Sequence, residues 1–157
     1  MAIAIYPRTF MTKRGSRVLG KEVWLIEIIR VINQDEIEQV TSLAKIIWND
    51  YYPAITGQEL VDYMLANFQS DTAIREQINT GYEYYVVKLD GDHVAYFAIE
   101  SRPTENQLFL SKLYVKREFR GHGIARSIMQ FVEARALELG HSSIYLTVNK
   151  NNRLAIE

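Results

Sequence analysis

Residues 113–126 read Leu-Tyr-Val-Lys-Arg-Glu-Phe-Arg-Gly-His-Gly-Ile-Ala-Arg, and this stretch decides the fold. A β-rich run ends in a basic turn with two glycines, and an amphipathic helical pattern follows directly. Glycine lets the backbone bend and approach an anion closely, and the N-terminal end of a helix carries partial positive charge. Arg120 and Arg126 add charge on either side of the turn. The stretch therefore predicts a strand, a phosphate-binding turn and a helix.

Other glycine-rich phosphate loops fit this turn less well. The Rossmann fingerprint needs a third glycine at a set spacing, and the P-loop needs Gly-Lys followed by serine or threonine; neither is found. A two-glycine turn is also compatible with an ordinary connection between a strand and a helix, in which the arginines are solvated. The flanking elements are needed to choose between these interpretations.

The flanking sequence predicts a mixed α/β domain. Apolar residues at helical spacing predict four helices, at residues 33–52, 56–68, 71–79 and 123–139. Runs of β-branched and aromatic residues predict four strands, at residues 84–89, 93–99, 108–115 and 143–148. Asp90-Gly91 separates the first two of these strands and is typical of a tight hairpin, so they are expected to be antiparallel neighbours.

The composition limits the class of protein. A chain of 157 residues with 48% apolar content is enough for one compact domain. The net charge of -1 does not indicate a nucleic-acid partner or a polybasic membrane anchor. Cysteine is absent, which excludes disulfides, thiolate metal sites and a cysteine acyl intermediate, and no His/Asp/Glu spacing suggests a metal. No apolar run matches a membrane span or a signal peptide, so a cytoplasmic location is expected.

The order of strand, Arg-Gly-His-Gly-Ile-Ala turn, helix, strand and Asn-Lys-Asn-Asn resembles the acetyl-CoA-binding core of the GCN5-related N-acetyltransferase (GNAT) family. The family loop reads Arg/Gln-x-x-Gly-x-Gly/Ala. Its six positions here are Arg120, Gly121, His122, Gly123, Ile124 and Ala125. The resemblance implies a mixed, mostly antiparallel sheet flanked by helices, and transfer of acetyl from acetyl-CoA directly to a primary amine of a small molecule or protein. A coenzyme A-binding or regulatory protein of this fold without turnover is the alternative.

The resemblance also implies roles for individual residues. Main-chain groups of Leu113, Tyr114 and Val115 are expected to bind the pantetheine and thioester. The loop from Arg120 to Arg126 is expected to bind the pyrophosphate, and Asn152 the cofactor arm. No metal is expected.

Two residues are candidates for acid–base chemistry. Tyr6 is the candidate general acid for the coenzyme A thiolate, and a core tyrosine is the alternative. Glu100 ends a predicted strand on the acceptor side and is the candidate for accepting the amine proton, directly or through water. A solvated surface glutamate is the alternative.

Large apolar residues gather around the first two predicted helices, which flank the acceptor cleft in the family. They are Trp48, Tyr51, Tyr52, Tyr63 and Met64. They either line an aromatic pocket for an amine cation or belong to an ordinary core.

The two ends of the chain suggest a circular permutation. In the family, the last helix and a closing hairpin follow an Asn-x-x-Ala-Ile-x-x-Tyr segment; residues 152–157 supply its opening, and residues 2–28 resemble its remainder. Residues 1–157 are thus expected to form one GNAT-like domain, with residues 1–28 as a relocated C-terminal hairpin and residues 29–157 as the acetyl-CoA-binding core.

This arrangement raises a geometric problem. Residues 23–28 and 29–32 would be two family strands that lie about 24 Å apart across the sheet, yet they are contiguous. A homodimer in which residues 1–28 are exchanged between chains would resolve the problem. An added hairpin elsewhere in the fold is the alternative.

Overall fold

A computed structural model of the chain describes residues 9–14 and 24–148. Its strands are β1 Thr9–Arg14, β2 Trp24–Arg30, β3 Tyr82–Leu89, β4 Asp92–Arg102, β5 Gln107–Val115 and β6 Ser143–Leu146. Its α-helices are α1 Gln34–Tyr51, α2 Pro53–Thr56, α3 Gln58–Phe68, α4 Asp71–Asn79 and α5 Ile124–Glu138. Short 3-10 helices span Pro103–Glu105 and Arg117–Phe119.

The described strands form one sheet in the order β1-β2-β3-β4-β5-β6. All neighbours are antiparallel except β5 and β6, which are parallel. The hairpin predicted at Asp90-Gly91 is confirmed, because it joins β3 to β4 with φ of 49° at Asp90 and 93° at Gly91. The expected mixed, mostly antiparallel sheet flanked by helices is therefore present.

Two apolar cores cover the two faces of the sheet. On one face, Ile124, Ile128 and Phe131 of α5 pack against the strands. On the other face lie α1, α3 and α4, which we call the helix layer. Each of these helices contributes a fully buried side chain to the core, namely Val40, Val61 and Ile74. Burial on both sides explains the nearly continuous apolar sequence of the central strands β3 and β4.

The predicted helices are present, with one difference in their boundaries. Asn33 caps α1: its side chain accepts from the Glu36 N–H, and the Glu36 carboxylate accepts from the Asn33 N–H. The helix predicted at residues 56–68 begins two residues later, as α3, and a short helix that was not predicted, α2, precedes it. Gly57 separates them, because its φ of +86° interrupts the helical backbone.

Strands β1 and β2 are neighbours at one edge of the sheet. Strand β2 passes through residues 28 and 29 without a break and pairs with β3 from Ile26↔Leu89 to Arg30↔Tyr85. The expectation of two separate strands at residues 23–28 and 29–32 is therefore wrong, because one extended segment supplies both. Hairpin β1-β2 lies at the sheet edge beside β3, opposite β6, and its origin as a relocated C-terminal hairpin or as an added hairpin stays a prediction. Exchange of residues 1–28 between chains stays a prediction.

None of the helices in the described ranges is long and apolar enough to cross a membrane.

Candidate active site

Among the described residues, the pairing of β5 with β6 ends before β5 does. The two strands pair from Gln107↔Ser143 to Leu110↔Leu146, whereas β5 continues to Val115 with β4 as its neighbour. The carboxyl ends of parallel strands are where α/β folds commonly bind ligands. The side of residues 111–115 that faces away from β4, which we call the gap, has no strand partner among the described residues and is therefore the natural place in this sheet for an elongated ligand.

Two residues of β5 direct backbone groups toward this gap. The Lys116 N–H donates to the Val94 carbonyl at 2.9 Å, and backbone direction alternates along an antiparallel ladder. The backbone of Tyr114 is consequently used in pairing with β4, while the backbones of Leu113 and Val115 face away from β4. Of the three residues expected to bind through main-chain groups, two have the required direction.

The glycine loop, residues 120–123, leads from this gap into α5. Gly121 and Gly123 have φ of +81° and +77°, a region in which a side chain is strained. Asn33 and Ser70 cap α1 and α4, but no side chain caps α5 at Gly123. The first turn of α5 contains no acidic residue either.

The first turn of α5 has backbone donors that suit an anion. The Ser127 N–H donates to the Gly123 carbonyl at 3.0 Å and is the first bond of the helix. The N–H groups of Ile124, Ala125 and Arg126 therefore have no partner within the helix. With the positive end of the helix dipole, they form an arrangement suited to phosphate.

The side chains of the loop have distinct environments. Ile124 is 2% exposed and belongs to the core, so that only its backbone faces the loop, whereas Ala125 and Arg126 are exposed. His122 is exposed, and its Nδ1 lies 3.1 Å from the carbonyl oxygens of Phe119 and Arg120. Because carbonyl oxygens only accept, Nδ1 carries the hydrogen.

Arg120 is held at two points. Its Nε donates to the Val115 carbonyl at 3.3 Å, and its guanidinium carbon lies 4.7 Å from the ring centroid of Tyr51. The first contact joins the loop to the end of β5, and the second joins it to the end of α1.

Glu100 is ion-paired rather than freely solvated. Its Oε2 accepts from Arg102 Nε at 3.0 Å, and the Arg102 guanidinium lies 4.0 Å from the Phe109 ring centroid. Tyr82 pairs opposite Glu100 in the sheet, and burial, together with the negative charge of Glu100, raises the pKa of Tyr82. The carboxylate thus lies within a small polar cluster at the end of β4.

An aromatic cluster joins the helix layer to β5. Trp48 stacks on Tyr52 with centroids 4.4 Å apart, and Tyr114 lies 5.4 Å from Trp48. Trp48 Nε1 donates to the Tyr96 hydroxyl at 3.2 Å, which donates to Gln69 Oε1 at 3.0 Å. Burial raises the pKa of both Tyr96 and Tyr114.

The expected aromatic group is therefore divided. Trp48 is a core residue, Tyr51 and Tyr52 are half-buried, and Tyr63 is 55% exposed beside Phe68. Sequence reasoning missed Tyr96 and did not place the Tyr114 ring in this cluster, because the proximity of both rings to Trp48 depends on the pairing of β4 with β5.

Sequence reasoning also missed Lys112. It is 9% exposed, its Nζ donates to Gln77 Oε1 at 2.6 Å, and burial lowers its pKa to about 8. The Tyr84 hydroxyl donates to the same oxygen at 2.7 Å. A lysine within the apolar strand sequence Leu108–Val115 was the available signal.

The comparisons with known proteins agree with this architecture. Residues 41–157 match the model of the Acetyltransferase (GNAT) family. The chain belongs to this family. The GNAT match includes β5, the glycine loop and α5, but it begins inside α1 and so does not include β1 and β2.

Individual GNAT relatives are distant in sequence. An uncharacterized N-acetyltransferase in the pepI 3' region of Lactobacillus delbrueckii subsp. lactis is 18% identical over 136 residues, which cover 83% of this chain and 79% of the relative. The PaiA N-acetyltransferase of Thermoplasma acidophilum, solved in complex with coenzyme A, has a TM-score of 0.71 at 20% identity, covering 83% of this chain and 84% of its own.

A GCN5-related N-acetyltransferase from Ralstonia eutropha has a TM-score of 0.63 at 18% identity, covering 83% of this chain and 88% of its own. At such identities the structural likeness shows the GNAT fold alone.

Two of the predicted GNAT site residues, Tyr6 and Asn152, lie outside the described residues. Within residues 9–14 and 24–148, no group of three or more His, Asp or Glu side chains is arranged to hold a metal ion.

Proposed function

We propose that this protein is an N-acetyltransferase that moves the acetyl group of acetyl-CoA directly to a primary amine of a small molecule or protein. The observation that carries the proposal is the continuity of two features along β5. The gap beside Leu113 and Val115 leads directly to the glycine loop and the uncapped start of α5. Coenzyme A is bound in the Thermoplasma PaiA structure, which supports the choice of ligand.

The two features suit the two parts of acetyl-CoA. Main-chain groups of Leu113 and Val115 would pair with the amide-containing pantetheine arm, much as a neighbouring strand would. The loop N–H groups and Arg120 would hold the pyrophosphate. We assign Tyr114 to the wall of the site through its ring, and Asn152 to the cofactor arm. The residues of β5 and the glycine loop therefore fit the ligand.

Acetyl transfer requires that a neutral amine attack the thioester carbonyl carbon. The amine loses a proton as the new C–N bond forms, the C–S bond breaks, and the departing thiolate takes up a proton. We propose that the Glu100 carboxylate receives the amine proton, directly or through water, and that Tyr6 supplies a proton to the thiolate. Arg102 would then orient Glu100 through their 3.0 Å contact.

The first test is isothermal titration with acetyl-CoA, followed by an assay of thiol release with a panel of amines. We expect one cofactor per chain and thiol release that depends on the amine. Absence of binding would contradict the whole proposal. Binding without thiol release for any amine would favour the alternative, a coenzyme A-binding protein without turnover, which the pairing of Glu100 with Arg102 makes worth testing.

The catalytic assignment needs its own variants. Glu100→Gln should lower kcat by about a hundredfold and leave the affinity for coenzyme A unchanged. Glu105→Gln is the matched control, because Glu105 is an exposed acid in the connection that follows β4. Equal kcat values for the two variants would remove Glu100 from the mechanism, and Tyr6→Phe tests the proposed acid in the same way.

We also propose a cytoplasmic homodimer, on the sequence argument alone. Solution mass measured by light scattering tests the oligomer, and a monomer at all concentrations would exclude exchange of residues 1–28.

A further inference from the structure

Tyr51 and Arg120 meet although they are far apart in the chain. Tyr51 is the last residue of α1, and Arg120 belongs to the glycine loop. The Arg120 guanidinium carbon lies 4.7 Å from the Tyr51 ring centroid, within the range of a cation–π interaction. This contact joins the helix layer to the proposed phosphate site.

The Tyr51 ring is itself held in place. Trp48, Tyr51 and Tyr52 have the i, i+3, i+4 spacing that puts side chains on one side of a helix. Tyr51 meets Tyr52 edge to face at 5.3 Å, and Tyr52 stacks on Trp48 at 4.4 Å. Trp48 is only 6% exposed and hydrogen-bonded to Tyr96, so the row of rings is anchored in the core.

The second contact of Arg120 orients its guanidinium group. Arg120 Nε donates to the Val115 carbonyl, so Nη1 and Nη2 are the nitrogens that can reach an anion at the loop. A long arginine side chain otherwise samples many rotamers, and ordering it on binding weakens affinity. The ring and the carbonyl together order the side chain before an anion arrives.

We propose that Tyr51 is a positioning residue that holds Arg120 ready for the pyrophosphate of the cofactor. This inference rests on the proposed function and extends the cofactor site into α1. Tyr51 does not touch the ligand; it acts through Arg120. Its effect on binding must therefore disappear when Arg120 is removed.

Isothermal titration with coenzyme A tests the proposal through a double-mutant cycle. Tyr51→Leu should weaken binding about two- to fivefold, the size expected for an exposed cation–π contact. Tyr51→Phe should bind like the unmodified protein, because it keeps the ring face. Tyr63→Leu is the matched control, since Tyr63 is an exposed tyrosine on α3 that contacts Phe68. Combining Tyr51→Leu with Arg120→Met should weaken binding no further than Arg120→Met alone.

The outcomes separate the possible explanations. If Tyr51→Leu lowers the coenzyme A affinity equally with and without Arg120, Tyr51 acts through the general fold. If Tyr51→Leu leaves the affinity unchanged, Tyr51 has no role in binding. Either result overturns the proposal. If the unmodified protein does not bind coenzyme A, the proposed function fails and this inference fails with it. Tyr51→Met replaces the leucine variant if thermal unfolding shows that the latter does not fold.

Discussion

The helix layer and the glycine loop differ in whether side chains of the protein cap the start of the helix. In the helix layer, the Asn33 and Glu36 side chains accept hydrogen bonds from N–H groups at the start of α1. The Asp71 carboxylate likewise accepts from the Thr41 hydroxyl at 2.6 Å. The loop ends in Gly123, and α5 starts without a side-chain cap. Internal pairing stabilises a helix end, whereas unpaired N–H groups at a helix start remain available to an anion. The contrast therefore distinguishes a stabilising region from a binding region.

The largest expected effect comes from straining the loop. Gly121→Val should weaken coenzyme A binding about a hundredfold, roughly 3 kcal/mol, because a β-branched residue does not adopt a φ of +81° and the aligned N–H groups are lost. Gly57→Val is the matched control: Gly57 has a φ of +86°, and at both glycines the added Cβ would have no atom of the described residues within 4 Å. Titration and thermal unfolding should show similar destabilisation in both, with lost binding only in Gly121→Val. Equal binding by both variants would contradict the loop assignment.

Lys112, the buried cation of β5 that contacts the helix layer through Gln77, should give the next largest effect, on stability. Burial lowers the pKa of Lys112 to about 8 from its ordinary value of 10.5, so folding disfavours the protonated form. The resulting destabilisation is fully present below pH 8 and disappears as the pH rises toward 10.5.

Lys112→Met tests this by denaturant unfolding across that pH range. The free energy of unfolding of the unmodified protein, relative to the variant, should rise by about 2–3 kcal/mol between neutral pH and pH 10.5. Lys45→Met, at an exposed position of α1, should show no such rise. A constant difference for Lys112→Met would mean that Gln77 and the surrounding rings fully compensate for burial.

Removing the cap of α1 should affect stability alone. Asn33→Ala should lower the free energy of unfolding by about 1 kcal/mol, because the Glu36 N–H loses its acceptor. Coenzyme A affinity should stay unchanged. A change in affinity would show that the two regions are coupled more strongly than their separate hydrogen bonds indicate.

The smallest expected effect comes from making α5 resemble α1. Ala125→Glu adds an acid to the exposed first turn of α5, where α1 has Asp35 and Glu36. The free energy of unfolding should rise by about 0.3–1 kcal/mol, while coenzyme A affinity falls a few-fold through repulsion of the phosphate. Ala125→Gln isolates the charge from the added side chain. If the free energy of unfolding and the coenzyme A affinity both rose, or both fell, the result would argue against an anion at this helix end.

Several parts of the fold and site could be predicted from neighbouring residues. The Asp90-Gly91 hairpin and the glycine turn before α5 each depend on a few consecutive residues whose backbone preferences are strong. To predict that the backbones of Leu113 and Val115 face the gap, the register of β4 with β5 was also needed.

Other parts could not be predicted in this way. The placement of hairpin β1-β2 beside β3, the pairing of Glu100 with Arg102, and the burial of Lys112 all depend on contacts in the assembled sheet. The tyrosine resemblance near the N-terminus led to the expectation of two strands, whereas pairing with β3 made one strand of residues 24–30.

By itself, the sequence determined the strand, glycine turn and helix of residues 113–126, because glycine conformation and helical periodicity are local properties of the chain. The tertiary structure alone decided which residues support that turn. Tyr51 reaches Arg120, and Lys112 reaches Gln77, only because helices 35 or more residues away in sequence pack against β5 and its loop. Such contacts depend on the packing of the whole domain and have no signature in any short stretch of sequence.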